Sequence, residues 1–389
     1  MVVNFEFLGS EPIENVITCM HFKVDKAVFF GYHDVVLSKR KSTENFLKKY
    51  CGVSRVVFHE LSGYDLQSVL KTMRTEIEYE KGNGSKLYFD ITGGESLILV
   101  AFGMLSKEFE APMHIFDIEK DRLIELDEGA RASISKDVES NNVEFNIERY
   151  IEMRGGIINW GLHKTIKEDE DDEFVEDIAK IWKVAKKHIA AWNAFSTYIR
   201  TNMKPDDDLR VSRSARTVIN ELSVSPRELN NVNKLNSIVD DLESEGILTD
   251  VVHSDGRYRF RYKNEGIMAC LWEGGSALEL QTYQNVKKES DDCKVGIHLD
   301  WDGEIHDMSG IDVVNEIDVL SLKGNVLTFF SCKSGKMKPR ESMYALYELD
   351  TVAKRFGGKY AKKVLVTAMG LNNTALERAD EMGIEVRVG

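Results

Sequence analysis

Residues 315–336, NEIDVLSLKGNVLTFFSCKSGK, constrain the fold of this chain more than any other stretch. Residues 316–322 alternate apolar with polar, Lys323-Gly324-Asn325 reads as a turn, and residues 326–332 run back with Phe329 and Phe330 among them. Two strand-forming runs around a glycine turn predict a β-hairpin. Asp318 then sits in the first strand, and Lys333 ends the second. Strand side chains alternate faces, so Glu316 and Asp318 share one. A carboxylate beside a lysine at the ends of paired strands suits phosphodiester hydrolysis. The carboxylate holds a divalent ion that polarises the phosphate and lowers the pKa of its water. The lysine orients that water or steadies the developing negative charge.

The flanking sequence supplies a sheet for the hairpin. Residues 272–283, WEGGSALELQTY, start a helix at Gly274-Gly275 with Glu279 in its first two turns. A strand (293–301), the hairpin, a helix (341–356), a strand (363–367), a helix (373–382) and a strand (385–388) follow. That is an αβββαβ order with one extra helix–strand unit. A hard divalent ion with several oxygen ligands needs a carboxylate cluster, and Glu279 and Glu316 are both candidates to join Asp318. The competing reading of Glu316 is a plain salt bridge with Lys333. Lys336, Lys338, Arg340 and Tyr344 suit a nucleic-acid backbone, or an ordinary surface. Asp300 and Asp302 read as turn residues, and lone His298 and His306 as structural.

The N-terminal part alternates strands and helices. Strands are expected at residues 4–8, 26–30, 55–59, 86–91, 113–117 and 122–125, and helices at 13–22, 43–50, 65–79 and 95–107. This spacing predicts a doubly wound, mostly parallel sheet. Ligands of such sheets bind beyond the carboxyl ends of the strands, at the switch point. Two loops lie there: Leu8-Gly9-Ser10-Glu11 and Thr92-Gly93-Gly94-Glu95-Ser96. Glycines permit close backbone approach to a ligand, and helix-terminal N–H groups favour phosphates. Neither loop is a GxGxxG or GxxxxGK[ST] motif, which disfavours a dinucleotide or triphosphate site.

Between these parts, residues 127–203 read as largely helical, with an amphipathic helix over 145–154 and another over 174–200. Trp182 and Trp192 are read as packing residues. The acidic run at 167–177 reads as a solvated linker whose acids favour the positive end of the next helix. Residues 211–262 read as a winged helix with a hairpin around Ser254-Asp255-Gly256 and a recognition-helix candidate at 231–242. Residues 205–265 carry 9 basic against 12 acidic side chains. A helix entering a DNA groove needs phosphate-neutralising charge nearby, so this module is expected to be a spacer or dimerisation element. Arg210, Arg213 and Arg216 keep a DNA-binding role open.

Charge and cysteine usage narrow the function classes. The net charge of −14 over 389 residues disfavours a general nucleic-acid binder. Residues 315–389 nevertheless hold 12 Lys+Arg against 9 Asp+Glu, which suits a phosphate-bearing substrate there. The five cysteines are scattered, with no CxxC pair, which argues a reducing cytoplasm and no zinc site. The start, MVVNFEFLGS, lacks the basic and apolar regions of a secretory signal. No apolar run approaches about 18 residues, so no membrane span is expected.

Asp318, followed by Ser331-Cys332-Lys333 where Asp/Glu-x-Lys is usual, resembles the PD-(D/E)xK nuclease superfamily. In several of its branches a helix glutamate supplies a further metal ligand. The resemblance gives that role to Glu279, with Glu316 as the other candidate, and leaves Ser331 in the place of the usual carboxylate. A strand ending in DITGG and opening a helix is similar to the CARF domain. In that family the two loops bind cyclic oligoadenylate across a homodimer, which carries over to Gly9, Ser10 and Glu11 and to Thr92, Gly93, Gly94, Glu95 and Ser96. Glu95 stands where many members carry Lys, so backbone donors would carry more of the binding.

Taken whole, the TGG loop, the winged helix, and then GGxxLE, NEIDV and SCKSGK in order resemble the CRISPR ancillary nucleases of type III defence. The implied fold is α/β: a Rossmann-like CARF sensor (1–130), a helical connector (131–204), a winged-helix-like module (205–265) and a restriction-endonuclease-like αβββαβ domain (266–389). The resemblance implies a two-fold homodimer, cyclic tetra-adenylate as activator, Mn²⁺ or Mg²⁺ as metal, and cleavage of DNA and sometimes RNA. A ligand-responsive winged-helix regulator with an inactive nuclease fold is the alternative. An ungated restriction or repair nuclease is a third reading.

Overall fold

The computed structural model describes residues 1–126, 132–162, 171–254, 256–300 and 315–389. The N-terminal unit runs β1 (Val2–Phe7), α1 (Ile17–His21), β2 (Lys26–Gly31), α2 (His33–Tyr50), β3 (Arg55–Glu60), α3 (Leu66–Gly82), β4 (Lys86–Asp90), α4 (Ser96–Phe109), β5 (Met113–Asp117) and β6 (Arg122–Glu125). Its sheet has the order β3-β2-β1-β4-β5-β6, parallel except for β6 against β5. β1 is buried on both faces, so even Asn4 and Glu6 are enclosed; parallel strands are covered on both sides by helices. The order reverses between β1 and β4, which sets the switch point. α2 starts ten residues earlier than the helical pattern at 43–50 suggests. Its first half is polar and anchored through Val36, so apolar periodicity does not reveal it.

The middle contains α5 (Ile134–Asp137), α6 (Ile147–Met153), β7 (Ile157–Ile158), α7 (Asp172–Lys187) and α8 (Ile189–Asn202). Residues 174–200 are therefore two helices, not one. The chain leaves helical geometry at His188 (φ −113°, ψ 27°), whose Nε2 lies 2.5 Å from Asp241 Oδ2. Trp182 and Trp192 are buried packing residues, as expected. Of the acidic run, residues 167–170 lie outside the described residues. Asp171 accepts the Glu173 N–H and opens α7, and Asp177 is buried against Lys263 at 2.6 Å.

Next come β8 (Arg210–Ser214), α9 (Ala215–Ser223), α10 (Val232–Ser244), β9 (Leu248–Val252) and β10 (Arg257–Tyr262), with an antiparallel sheet of order β8-β10-β9. β8 adds a third strand to the expected hairpin, whose Asp255 is outside the described residues. α10 is tied to α7 through Lys187–Asp241 and Lys183–Glu245. Arg213 is held by Glu221 at 2.6 Å.

The C-terminal unit runs α11 (Glu265–Trp272), α12 (Ser276–Lys287), β11 (Asp292–Asp300), β12 (Asn315–Lys323), β13 (Val326–Lys333), α13 (Pro339–Gly357), β14 (Lys362–Thr367), α14 (Asn373–Glu381) and β15 (Ile384–Val388). The sheet order is β15-β14-β13-β12-β11-β7. β11 to β13 are antiparallel, and β13 to β15 parallel. The two-residue β7, from a segment expected to be largely helical, closes one edge beside Leu299 and Asp300. Asp300 is thus a buried strand residue rather than a turn residue; Trp301, Asp302 and His306 lie outside the described residues. Leu327 and Phe329 face α13 in a hydrophobic cluster that continues through Tyr150 and Ile151 to Leu8 and Phe29 of the first sheet. All five cysteines are buried thiols. Among the described residues no helix is long and apolar enough to cross a membrane.

Candidate functional site

β12 and β13 position the first group of side chains. Their register pairs Val319 with Phe330, which sets Asp318 opposite Ser331. Asp318 Oδ2 accepts the Cys332 N–H at 2.5 Å and the Ser331 hydroxyl at 3.4 Å. Ser331 therefore steadies Asp318 where a second carboxylate would have repelled it. Burial pushes the Asp318 carboxyl above its usual range; the Lys333 charge and the Cys332 N–H oppose that rise, and Glu316 adds to it. On the other side, β11 faces Asp318 with Gly296, at φ +60°. A residue without a side chain there leaves the space over Asp318 open.

α12 brings in Glu279 from its first turn. A Cβ on Gly275 would lie 2.7 Å from Glu279 Oε1, so the glycine lets that carboxylate fold back over the helix start. The Cys332 thiol is pushed far up, first by burial, then by the charges of Asp318 and Glu279, against the opposing hydrogen bond to Thr282 and the Lys333 charge. Glu279, Glu316, Glu273, Gly296 and His298 line a cavity of about 400 Å³. Glu316 is at its rim, 56% exposed, with His298 Nε2 3.8 Å away. Glu316 accordingly pairs with His298 and not with Lys333.

Among the described residues, no three of His, Cys, Asp and Glu converge into a closed metal site. The donor chemistry still fits a hard divalent ion. Such an ion is commonly held by one or two carboxylates, with water and substrate phosphate completing the shell. Glu279 and Glu316 line the cavity, and Asp318 is a buried carboxylate on the strand that carries Glu316. Lys336 and Lys338 are exposed between β13 and α13 and Arg340 in the first turn of α13, where its guanidinium lies 5.3 Å from the Tyr344 ring centre.

Two residues of α8 hold this site together and carry no motif. Trp192 Nε1 donates to the Gly274 carbonyl at 3.1 Å, and Asn193 Oδ1 accepts the Ser334 hydroxyl at 3.1 Å. Cβ atoms on Gly274 and Gly335 would lie 2.7 and 3.0 Å from the Asn193 amide. Asn193 therefore clamps the loop before Glu279 against the loop after Lys333. The paired glycines were the only sequence sign of that close approach. Asn193→Leu, which keeps bulk but removes both polar atoms, is expected to lower the cleavage rate about tenfold while leaving substrate KM within about twofold, as misplacement of catalytic groups does.

The second group lies at the switch point. Gly9 is clasped by Asn15, whose Oδ1 accepts the Gly9 N–H at 2.9 Å and whose Nδ2 donates to the Gly9 carbonyl at 3.0 Å. Ser10 is exposed, and Glu11 Oε2 lies 3.2 Å from Arg154. Across the cleft, the Thr92 N–H donates to Asp90 at 2.7 Å, and Thr92 Oγ1 accepts the Phe116 N–H at 2.9 Å. Burial opposes ionisation of Asp90, but His114, Thr18 and Thr92 hold its carboxyl below the usual range. Burial and the Asp90 charge push neighbouring Glu6 well above it. Gly94 takes φ +138°, a backbone that favours glycine. Gly94, Glu95 and Ser96 are exposed, and no side chain caps α4. Glu14, absent from the sequence reading, lies between the loops: its Oε2 is 2.7 Å from a Cβ position on Gly93 and 3.6 Å from one on Gly9.

α13 links the two groups. It begins after the Lys333 loop and spans 19 residues, roughly 28 Å, to the turn that meets Glu11 and Glu14.

Residues 268–389 match the family described as Card1-like, endonuclease domain. No curated protein matches the chain. Among solved structures, protein VC1899 from Vibrio cholerae is similar at 18% identity and TM-score 0.74, over 100% of this chain and 94% of that one. Can2 from Sulfobacillus thermosulfidooxidans, in complex with cyclic tetra-adenylate, is similar at 15% identity and TM-score 0.63, over 99% and 92%. A type III CRISPR defence DNA nuclease activated by cyclic oligoadenylate is similar at 14% identity and TM-score 0.50, over 97% of this chain and 51% of that longer one. The C-terminal third of the chain thus matches the Card1-like endonuclease domain, and the chain as a whole shares its fold with these solved structures.

Proposed function

We propose that this chain is a metal-dependent endonuclease of type III CRISPR antiviral defence that cleaves DNA, and RNA as a second substrate, when cyclic tetra-adenylate binds its N-terminal loops. The observation that carries the reading is the endonuclease-family match over residues 268–389, a span that holds Glu279 and Glu316 on one open cavity and Asp318 and Lys333 on the paired strands β12 and β13. Asp318 with Glu279 would hold a Mg²⁺ or Mn²⁺ ion. The chemistry such an ion supplies is polarisation of the phosphate and a lowered pKa of bound water. Lys333 ends β13 beside Asp318, where its ammonium would steady the negative charge that develops on the phosphoryl oxygens as water attacks. Lys336, Lys338 and Arg340 extend a basic path from that point.

Similarity to a Can2 complex with cyclic tetra-adenylate and to a nuclease activated by cyclic oligoadenylate supports the effector. The glycine loops at the β1/β4 switch point support its position: Gly9, Ser10 and Glu11 on one side, Thr92 to Ser96 on the other. A homodimer is supported by Val100 and Met104, which stand 53% and 48% exposed on α4 next to that cleft. In this reading residues 1–130 sense, 131–204 connect, 205–265 space the units and 266–389 cut. The competing winged-helix regulator is disfavoured by the binding of Arg213 to Glu221 and of α10 to α7.

One cleavage panel tests the proposal: plasmid, single-stranded DNA and RNA, with and without cyclic tetra-adenylate and Mn²⁺. Cutting that needs both additives is expected; equal rates without effector would sink the gate, and no cutting with both would sink the nuclease. On the same substrates Glu279→Ala is expected to lose at least about 100-fold and exposed Glu316→Ala less than about tenfold. The reverse ranking would make Glu316 the metal-completing residue.

A further inference from the structure

The sensor loops lack the charge that a phosphate ligand needs. No Lys or Arg occurs from residue 8 to 22 or from 87 to 106, and the cleft is walled by Glu11, Glu14 and Glu95. An anion entering such a cleft meets like charge. The compensating cations come from outside the sensor. Lys359, in the turn between α13 and β14, places its Nζ 2.5 Å from Glu14 Oε1, and the Tyr360 hydroxyl donates to the same oxygen at 2.6 Å. The other oxygen of that carboxylate is the one that abuts Gly93. Lys359 therefore sits one carboxylate's width from the TGG loop. Arg154, just past α6, takes Glu11, with both side chains nearly enclosed.

The turn carrying Lys359 is built to sit here. Gly358 has φ +70°, and a Cβ on it would overlap Glu11 Oε2 and Arg154 Nη1. Arg154 Nε donates to the Arg355 carbonyl, and the Tyr150 hydroxyl donates to the Gly357 carbonyl at 3.1 Å. Burial and the charges of Arg154 and Arg355 lower the pKa of Lys39 on α2, against the opposing charge of Glu11. Glu14 is 6% exposed and fixed, whereas Lys359 is 56% exposed on a flexible stem.

We propose that Lys359 and Arg154 complete the oligonucleotide-binding cleft, supplying from the nuclease and the connector the phosphate-binding cations that the sensor loops lack. Lys359 turns from Glu14 to a ligand phosphate, and Arg154 offsets the charge of Glu11 beside it. The effector is then bound jointly by sensor and nuclease of one chain. The inference rests on the proposed binding of an oligoadenylate at these loops.

The test is a titration of the full chain with fluorescent cyclic tetra-adenylate over a range of salt concentrations. Lys359→Ala is expected to weaken binding at least tenfold and to flatten the logarithmic salt dependence by about 0.7, as loss of one phosphate contact does. Lys359→Arg should restore most of the affinity, and Arg154→Gln should weaken binding about tenfold. Thermal melting of each variant shows that it is folded. Wild-type-like affinity for Lys359→Ala, or weaker binding with an unaltered salt slope, would overturn the proposal. Absence of binding by the wild type would instead remove the oligoadenylate reading on which it stands.

Discussion

Asp318→Asn is expected to lose about 10³-fold or more in cleavage rate and, at neutral pH, to melt higher than the wild type. The loss follows because an amide is a poor ligand for a hard cation, and the metal's electrostatic contribution is several kcal/mol of barrier. The gain follows from burial, which raises the Asp318 carboxyl above its usual range against the opposing pull of Lys333. A raised folded-state pKa means that the folded chain prefers the protonated acid. Stability from this residue is complete below the unfolded value of about 4 and is lost as pH rises through the folded value. At pH 7 the wild type therefore holds a costly buried charge that Asn removes, a difference of about 1 kcal/mol or about 2 °C. The gap should close as pH falls toward about 4. Added Mn²⁺ should raise the melting temperature of the wild type and not of the variant. If the variant melts lower at pH 7 and equally with or without Mn²⁺ in both proteins, Asp318 is a structural residue.

Gly93→Val should abolish the response to effector: the ratio of cleavage with and without cyclic tetra-adenylate falls to about one, and effector affinity falls about 100-fold. A Cβ at this position would lie 2.7 Å from Glu14 Oε2 and 3.2 Å from Glu14 Cβ. A flexible carboxylate would normally swing away, but this one is held by Lys359 and Tyr360. Overpacking of this kind costs about 1–3 kcal/mol, and the displaced group lies where ligand backbone contacts would form. Gly82→Ala, whose Cβ would meet open space at the end of α3, is the matched control and should respond normally. A Gly93→Val protein that still responds would place the effector elsewhere.

Period and turn chemistry in the sequence carry much of the architecture. The hairpin that holds Asp318 and Lys333 appears within a residue of its expected ends, because alternation and Gly324 leave little choice of register. The strand–helix alternation of the first 126 residues likewise foretells β1 to β6 and both glycine loops. Local pattern failed where a tertiary partner decided the outcome. His188 breaks an apparently continuous helix to reach Asp241. Ile157 and Ile158, too short to read as a strand, complete the edge of a sheet whose other members lie more than 100 residues on.

The candidate sites divide in the same way. Sequence alone determined the residue types on offer: Glu316 and Asp318 two positions apart on one strand, Lys333 at a strand end, Glu279 at a helix start, two glycine loops at strand ends. These follow from fixed periods of the backbone, which every sequence window obeys. Only the tertiary structure decided their use. It turned Ser331 into the support of Asp318, moved Glu316 to a solvated rim with His298, and set Asn193 between two loops. It also joined Tyr360 to Glu14 across 346 positions, so that a turn of the C-terminal unit bears on the cleft between the N-terminal loops. Contacts at that separation depend on how packed units meet, and no local periodicity records that.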